Sequence, residues 1–183
     1  MLVSPTRGFC VVNRINGRGE VVGNSVNEKN DFGIYWDASG NGYSVHGNRE
    51  RPKAELTSIS DSGEIVGGCS NAANPSSRAA TVWRERSLTP TLLPTVAGMT
   101  QSFALSNNRK GQIVGHAYGP NPPSVAVLWE RGRAFVLHDL VDAGGWRLEV
   151  ATGINDSGDI VGRGYAPRIG HVPFLLTKTG DSE

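Results

Sequence analysis

The sequence predicts an all-β fold: a small β-propeller of four tandem repeats, each about 46 residues long and built from four short antiparallel strands. Three observations predict it. A glycine-bounded motif recurs four times, a second apolar block recurs with the same period, and the composition is that of a chain broken by many turns. The 183 residues include 24 Gly and 10 Pro against 2 Met, which leaves little room for helix.

The first landmark is INGRGEVVG (Ile15 to Gly23), ISDSGEIVG (Ile59 to Gly67), LSNNRKGQIVG (Leu105 to Gly115) and INDSGDIVG (Ile154 to Gly162). The closing glycines Gly23, Gly67, Gly115 and Gly162 stand 44, 48 and 47 residues apart. The second landmark ends at Trp36, Trp83, Trp129 and Leu176, at spacings of 47, 46 and 47. Two independent landmarks with one period define a repeat, with modules at about 9–47, 55–94, 102–140 and 149–180 in a single domain.

Within a module, β-branched residues leading into the motif form strand A, as in FCVVNRIN (Phe9 to Asn16). A hairpin turn follows. Asp61 and Asp156 are expected to accept hydrogen bonds from amides of their own turns, and Gly63 and Gly158 to supply positive φ. The run ending at the second glycine is strand B, and the tryptophan block is strand C. Strand D is GYSVHG (Gly42 to Gly47), LTPTLLP (Leu88 to Pro94) and AFVLHDL (Ala134 to Leu140). The third unit reads as carrying one or two extra residues before Gly111. The fourth has no strand D after PFLL, and Met1 to Pro5 resemble the TLLP ending of the second, so this segment is a candidate to close the ring on the last blade and protect its edge. An open array, or a dimer of two four-module chains, is the alternative.

INDSGDIVG (Ile154 to Gly162) and HVPFLL (His171 to Leu176) resemble the bacterial extracellular repeats named after their His-Ala-Phe motif, and the likeness runs through all four units. It implies a propeller-like fold and an extracellular setting, and no catalytic residues. None of the four units carries His-Ala-Phe intact.

Eighteen Lys and Arg against seventeen Asp and Glu give a net charge of +1, which offers no electrostatic case for nucleic acid or an anionic membrane. No run approaches the roughly 18 apolar residues of a membrane span, and the first residues lack a signal-peptide core. The compartment stays open. Cys10 and Cys69 fall at different places in their modules, so both read as free, partly buried thiols.

The motifs carry more structure than chemistry. The DSG triplets lie in repeated turns, without the oriented base that a nucleophile needs. Each turn offers at most one carboxylate, too few for Ca²⁺. His46, His116, His138 and His171 have no metal-ligand spacing, so neither metal nor cofactor is expected. Trp36, Trp83 and Trp129 share their place with Leu176, which points to packing between modules. Function is expected on the end bearing the long B–C and D–A connections, because long loops on a rigid scaffold are the usual recognition sites. These connections supply Trp146, Arg147, Tyr118, Tyr165, Arg168, His116, His171, Arg49 and Arg51, residue types suited to a protein or carbohydrate ligand. The leading reading is therefore a non-catalytic interaction module, monomeric or homodimeric. A glycan-processing hydrolase or lyase using Asp142, Glu149 and His171 is a second reading, and a structural fragment of a longer secreted repeat protein is a third.

Overall fold

The computed structural model of the chain describes residues 1–5, 9–26, 32–74, 76–84, 88–121 and 123–178. Strands β1 (Phe9–Ile15), β2 (Val21–Val26), β3 (Gly33–Trp36) and β4 (Gly42–Val45) form the first sheet. The second holds β5 (Lys53–Ile59), β6 (Ile65–Ser70), β7 (Arg78–Arg84) and β8 (Thr89–Leu92). The third holds β9 (Gln101–Asn107), β10 (Ile113–Tyr118), β11 (Ser124–Glu130) and β12 (Arg133–Val136), and the last holds β13 (Arg147–Ile154), β14 (Ile160–Ala166) and β15 (Gly170–Leu176). All are antiparallel meanders in chain order. The predicted third strand D is half right: it stops at Val136, and Leu137–Leu140 wind into a short 3-10 helix.

One local geometry recurs in every module. The A–B turns place Gly19, Gly63, Gly111 and Gly158 at φ between 76° and 100°, where a side chain would be strained. Each strand A then bulges at one shared place, between Val12 and Arg14, Leu56 and Ser58, and Ala151 and Gly153, with the matching irregularity opposite Val114 and Gly115. The bulge drives the backbone onto the closing glycine of strand B. A Cβ on Gly23, Gly67, Gly115 or Gly162 would stand 2.0, 1.9, 2.0 or 2.1 Å from a carbonyl oxygen of strand A. That close approach explains why the motif ends in glycine.

The third turn is not longer than the others, contrary to the sequence reading. Asn107 pairs with Ile113 as Ile59 pairs with Ile65 and Ile154 with Ile160, so Asn107 fills the apolar position and Leu105 lies two residues before it. Its Nδ2 donates to Glu64 O at 2.8 Å, which replaces apolar packing with a bond to the preceding sheet.

The sheets pack in sequence. Strand β5 lies against β1, β2 and β3, β9 against β5, β6 and β7, and β13 against β9, β10 and β11. The apolar core lies in these seams. Val22 and Val45 meet Leu56, Ile65 and Trp83; Val66 and Val82 meet Ala104, Ile113 and Trp129; Val114 and Leu128 meet Leu148, Ala151 and Phe174. The tryptophans are packing residues, with Trp83 wholly buried.

Among the described residues the ring that the sequence predicts does not form: the strands make four separate sheets, and no sheet is closed into the circle that a propeller requires. Among the described residues, β13 to β15 have no packing partner in β1 to β4 comparable to those of neighbouring sheets. Ile15 on β1 and Leu175 on β15 are accordingly 62% and 63% exposed. The N-terminal segment does not complete the last sheet. Val3 N donates to Gly40 O at 2.9 Å, Val3 bridges Asn41, and Trp36 Nε1 donates to Val3 O at 3.0 Å. Trp83 and Trp129 make the same bond to His46 O and Pro94 O, the carbonyls leading into their own modules. Met1 to Pro5 thus resemble TLLP because they serve Trp36 as Pro94 serves Trp129, and that need holds the segment on the first sheet.

Candidate functional site

The long connections gather at one end of the array, where strands A begin and strands B end. Residues 27–31, 75 and 122 of these connections lie outside the described residues. Of the nine residues singled out from sequence, the structure assembles five into two groups on neighbouring sheets.

The first group is on the third sheet. His116 in β10 is nine-tenths buried and lies between Phe103, at 6.1 Å between ring centroids, and Tyr118, at 4.6 Å edge-on. The Arg78 guanidinium stands 5.0 Å over the Phe103 ring and pairs with Glu55 at 3.1 Å. Burial, and then the nearby positive charges of Arg78 and Arg163, push the His116 imidazole down to about 4, so it is neutral at physiological pH. Tyr118 is 41% exposed and closes the row toward solvent.

The second group is on the last sheet. The Arg147 guanidinium lies 4.7 Å over the Tyr165 ring, and His171 meets that ring edge-on at 5.6 Å. Glu149, displaced by a bulge in β13, holds both neighbours: Oε1 is 3.5 Å from Arg147 Nη2, and Oε2 is 3.1 Å from His171 Nδ1. Its carbonyl accepts from Ser124 Oγ at 2.8 Å, which ties this group to the third sheet.

The other four residues lie elsewhere. Trp146 is half-buried, packed on the apolar seam of the third and last sheets. Arg51 bonds the carbonyl and hydroxyl of Ser77, stapling the β4–β5 connection to the β6–β7 connection. Arg168 is exposed in the β14–β15 turn at φ 69°, and Arg49 is exposed in the β4–β5 connection.

Sequence reasoning missed the residues between the loops. A groove of about 370 Å³ runs along the inner strands β1, β5 and β9, lined by Val11, Asn13, Lys53, Glu55, Ser70, Arg78 and Phe103 among others. Glu55 and Phe103 occupy equivalent places on β5 and β9, as their pairing with Gly68 and His116 shows. Period-2 alternation along strand A is the signal that could have found them. Asn13 and Asn24 are already committed, since both donate to Leu56 O while Asn24 Oδ1 accepts from Leu56 N.

A larger groove of about 930 Å³ lies at the opposite, short-turn end, between the first two sheets. Several of its polar groups pair with one another: Tyr35 donates to Glu20 at 2.9 Å, Tyr43 to Asp37 at 3.2 Å, and Arg84 to Glu64 Oε2 at 2.7 Å. The sequence reading placed no function there. Among the described residues, no group of three or more His, Cys, Asp and Glu side chains could hold a metal ion, and no helix is long and apolar enough to cross a membrane. Cys10 and Cys69 are free thiols; Cys69 is fully buried, and burial pushes its thiol up.

No protein-family model and no curated protein sequence matches the chain. The likeness to the His-Ala-Phe repeats therefore rests on the motif residues alone.

Proposed function

We propose that the chain is a non-catalytic interaction module that takes a protein or a carbohydrate on its long-connection end. The observation that carries this reading is a pair of arginine-over-aromatic stacks, Arg78 on Phe103 and Arg147 on Tyr165, at the same end of neighbouring parts of the array. Such stacks hold a guanidinium and a ring in place before the ligand arrives, which lowers the ordering cost of binding. Arginine and tyrosine also dominate binding energy at interfaces. The groove beside Phe103 offers Lys53, Glu55 and Ser70 as further polar contacts.

The test is a binding screen against glycan and protein panels with wild type, Arg78→Ala, Tyr118→Ala and Arg147→Ala. A ligand whose affinity falls about tenfold or more in these variants supports the reading. A ligand insensitive to all three places recognition elsewhere. Trp146→Ala serves as the comparison, because its indole is half-buried and packs on the seam.

One observation favours a second reading. The His171–Glu149 contact joins two of the three residues that a hydrolase or lyase would need from separate connections, whereas Asp142 holds the amide of Gly144 in its own loop. Glycan turnover abolished by Glu149→Gln would establish an enzyme. Ligand binding with no turnover keeps the first reading.

A further inference from the structure

Among the described residues, the two ends of the array are unmated halves of the seam that the chain builds three times within itself. Register makes the comparison direct. Val12 pairs with Gly23 as Leu56 pairs with Gly67 and Ala104 with Gly115, so Val12 is the first-sheet counterpart of residues that are wholly buried. Val12 is 52% exposed. Ile15 is the counterpart of Ile59, which is 3% exposed.

The opposite end mirrors this. Val161 pairs with Leu175 as Val66 pairs with Val82 and Val114 with Leu128. Val66, Val82 and Val114 are wholly buried beneath the next sheet, whereas Val161 is 45% exposed. Each end therefore exposes apolar side chains whose internal counterparts are buried.

We propose that the last sheet of one chain docks onto β1 of a second copy, continuing head to tail the stack seen within the chain. The seam's own chemistry names the occupant. A strand A fits against Val161 and Leu175 as β9 fits against Val66 and Val82, and β1 is such a strand with its own apolar side bare. Exposed apolar side chains clustered at both ends are the expected mark of a protein contact. Asn16 and Asn108 each donate across the seam to the next module, to Ser60 O at 3.0 Å and Asn155 O at 2.9 Å, and Asn155 is placed to do the same toward a docked first sheet. The charges on the last sheet's docking side, Arg163 at the place of Gly68 and His116, and Arg147 and Glu149 around Tyr165, lie toward the long-connection end rather than in the apolar seam. The contact joins two different surfaces, so it is heterologous. It is independent of the ligand proposed above.

The experiment is sedimentation equilibrium across the micromolar range, on the full chain and on Val12→Glu and Leu175→Glu. Both substitutions fall on exposed side chains, and circular dichroism checks that the fold is kept. Wild type should gain mass with concentration, and each variant should stay at the 19.5 kDa of one chain. An equimolar mixture of the variants should form a dimer and nothing larger, because each retains the half that the other has lost. Wild type that stays monomeric overturns the proposal, and so does a mixture that fails to pair. A mixture that fails while wild type forms dimers would show a symmetric contact instead.

Discussion

The carboxylate of Asp61 accepts a hydrogen bond of 2.7 Å from the backbone amide of Gly17, 44 residues earlier in the chain. Asp156 does the same for the amide of Arg109, 47 residues earlier, at 2.9 Å. The sequence places both aspartates within their own turns, yet each reaches back to the turn of the preceding module. Within the turns the acceptors are the asparagines: Asn16 Oδ1 takes Arg18 N and Glu20 N, and Asn155 Oδ1 takes Gly158 N and Asp159 N. A repeated aspartate here is a coupling between modules, and that makes it testable.

Asp61→Ala and Asp156→Ala should each lower stability by about 1 kcal/mol, while Asp61→Asn, which keeps an acceptor oxygen, should cost less. The two sites are far apart in the chain and share no partner, so the double variant should show the sum. Urea unfolding midpoints measure all four.

Trp83→Phe should cost about 1–3 kcal/mol, although the ring that replaces the indole is still apolar. The substitution removes the donor to His46 O and leaves a carbonyl without its partner. Trp129→Phe strands Pro94 O in the same way. Thermal unfolding of both variants checks it; a loss confined to one of them would separate the bond from the packing.

Gly115→Ala should destabilise by more than about 3 kcal/mol, or prevent folding, because the new Cβ would stand against the rigid backbone. That atom would lie 2.0 Å from Phe103 O. Gly153→Ala is the informative contrast, since its Cβ would meet only the Val161 side chain, at 3.1 Å. It should be tolerated within about 1 kcal/mol.

Acid should weaken the fold through His116. Its imidazole has a folded pKa of about 4 against 6.5, so between these values the unfolded chain binds a proton that the folded chain does not. The stability contributed is complete above pH 6.5 and is lost as the pH falls toward 4, by up to about 3 kcal/mol. Urea unfolding at intervals across this range should show the slope in wild type and a flatter profile in His116→Gln.

The sequence makes the modules legible because their signals are local. A turn glycine at positive φ, a glycine under a bulge and a buried tryptophan each require one residue type at one place. Closure is not local. The angle between neighbouring sheets depends on what fills each seam: Leu56 fills the space at Gly33, and Phe103 the space at Gly68. Those pairs lie in different modules and leave no trace in the motif. Asn107 misled the reading of the third turn, because a polar residue at the isoleucine position looks like an insertion. At the candidate site, Tyr165 and His171 stood out because the stretch around the 167–169 turn reads as a long loop, although both lie at strand ends in β14 and β15. Arg78 opens β7 and Phe103 lies in β9, where alternation hides a side chain that faces the groove.

The bonds from Trp36, Trp83 and Trp129 to Val3, His46 and Pro94 all point toward the N-terminus of the chain. The array consequently has a grain. Trimming a module from the C-terminal side bares a seam but takes no indole's acceptor away from the sheets that remain. Trimming from the N-terminal side deprives the next tryptophan of its carbonyl, and so wounds the first module left standing. Grafted, shortened or circularly permuted versions of this chain would have to carry the few residues ahead of each first strand along with it, because the working unit is offset from the repeat that the motif delimits.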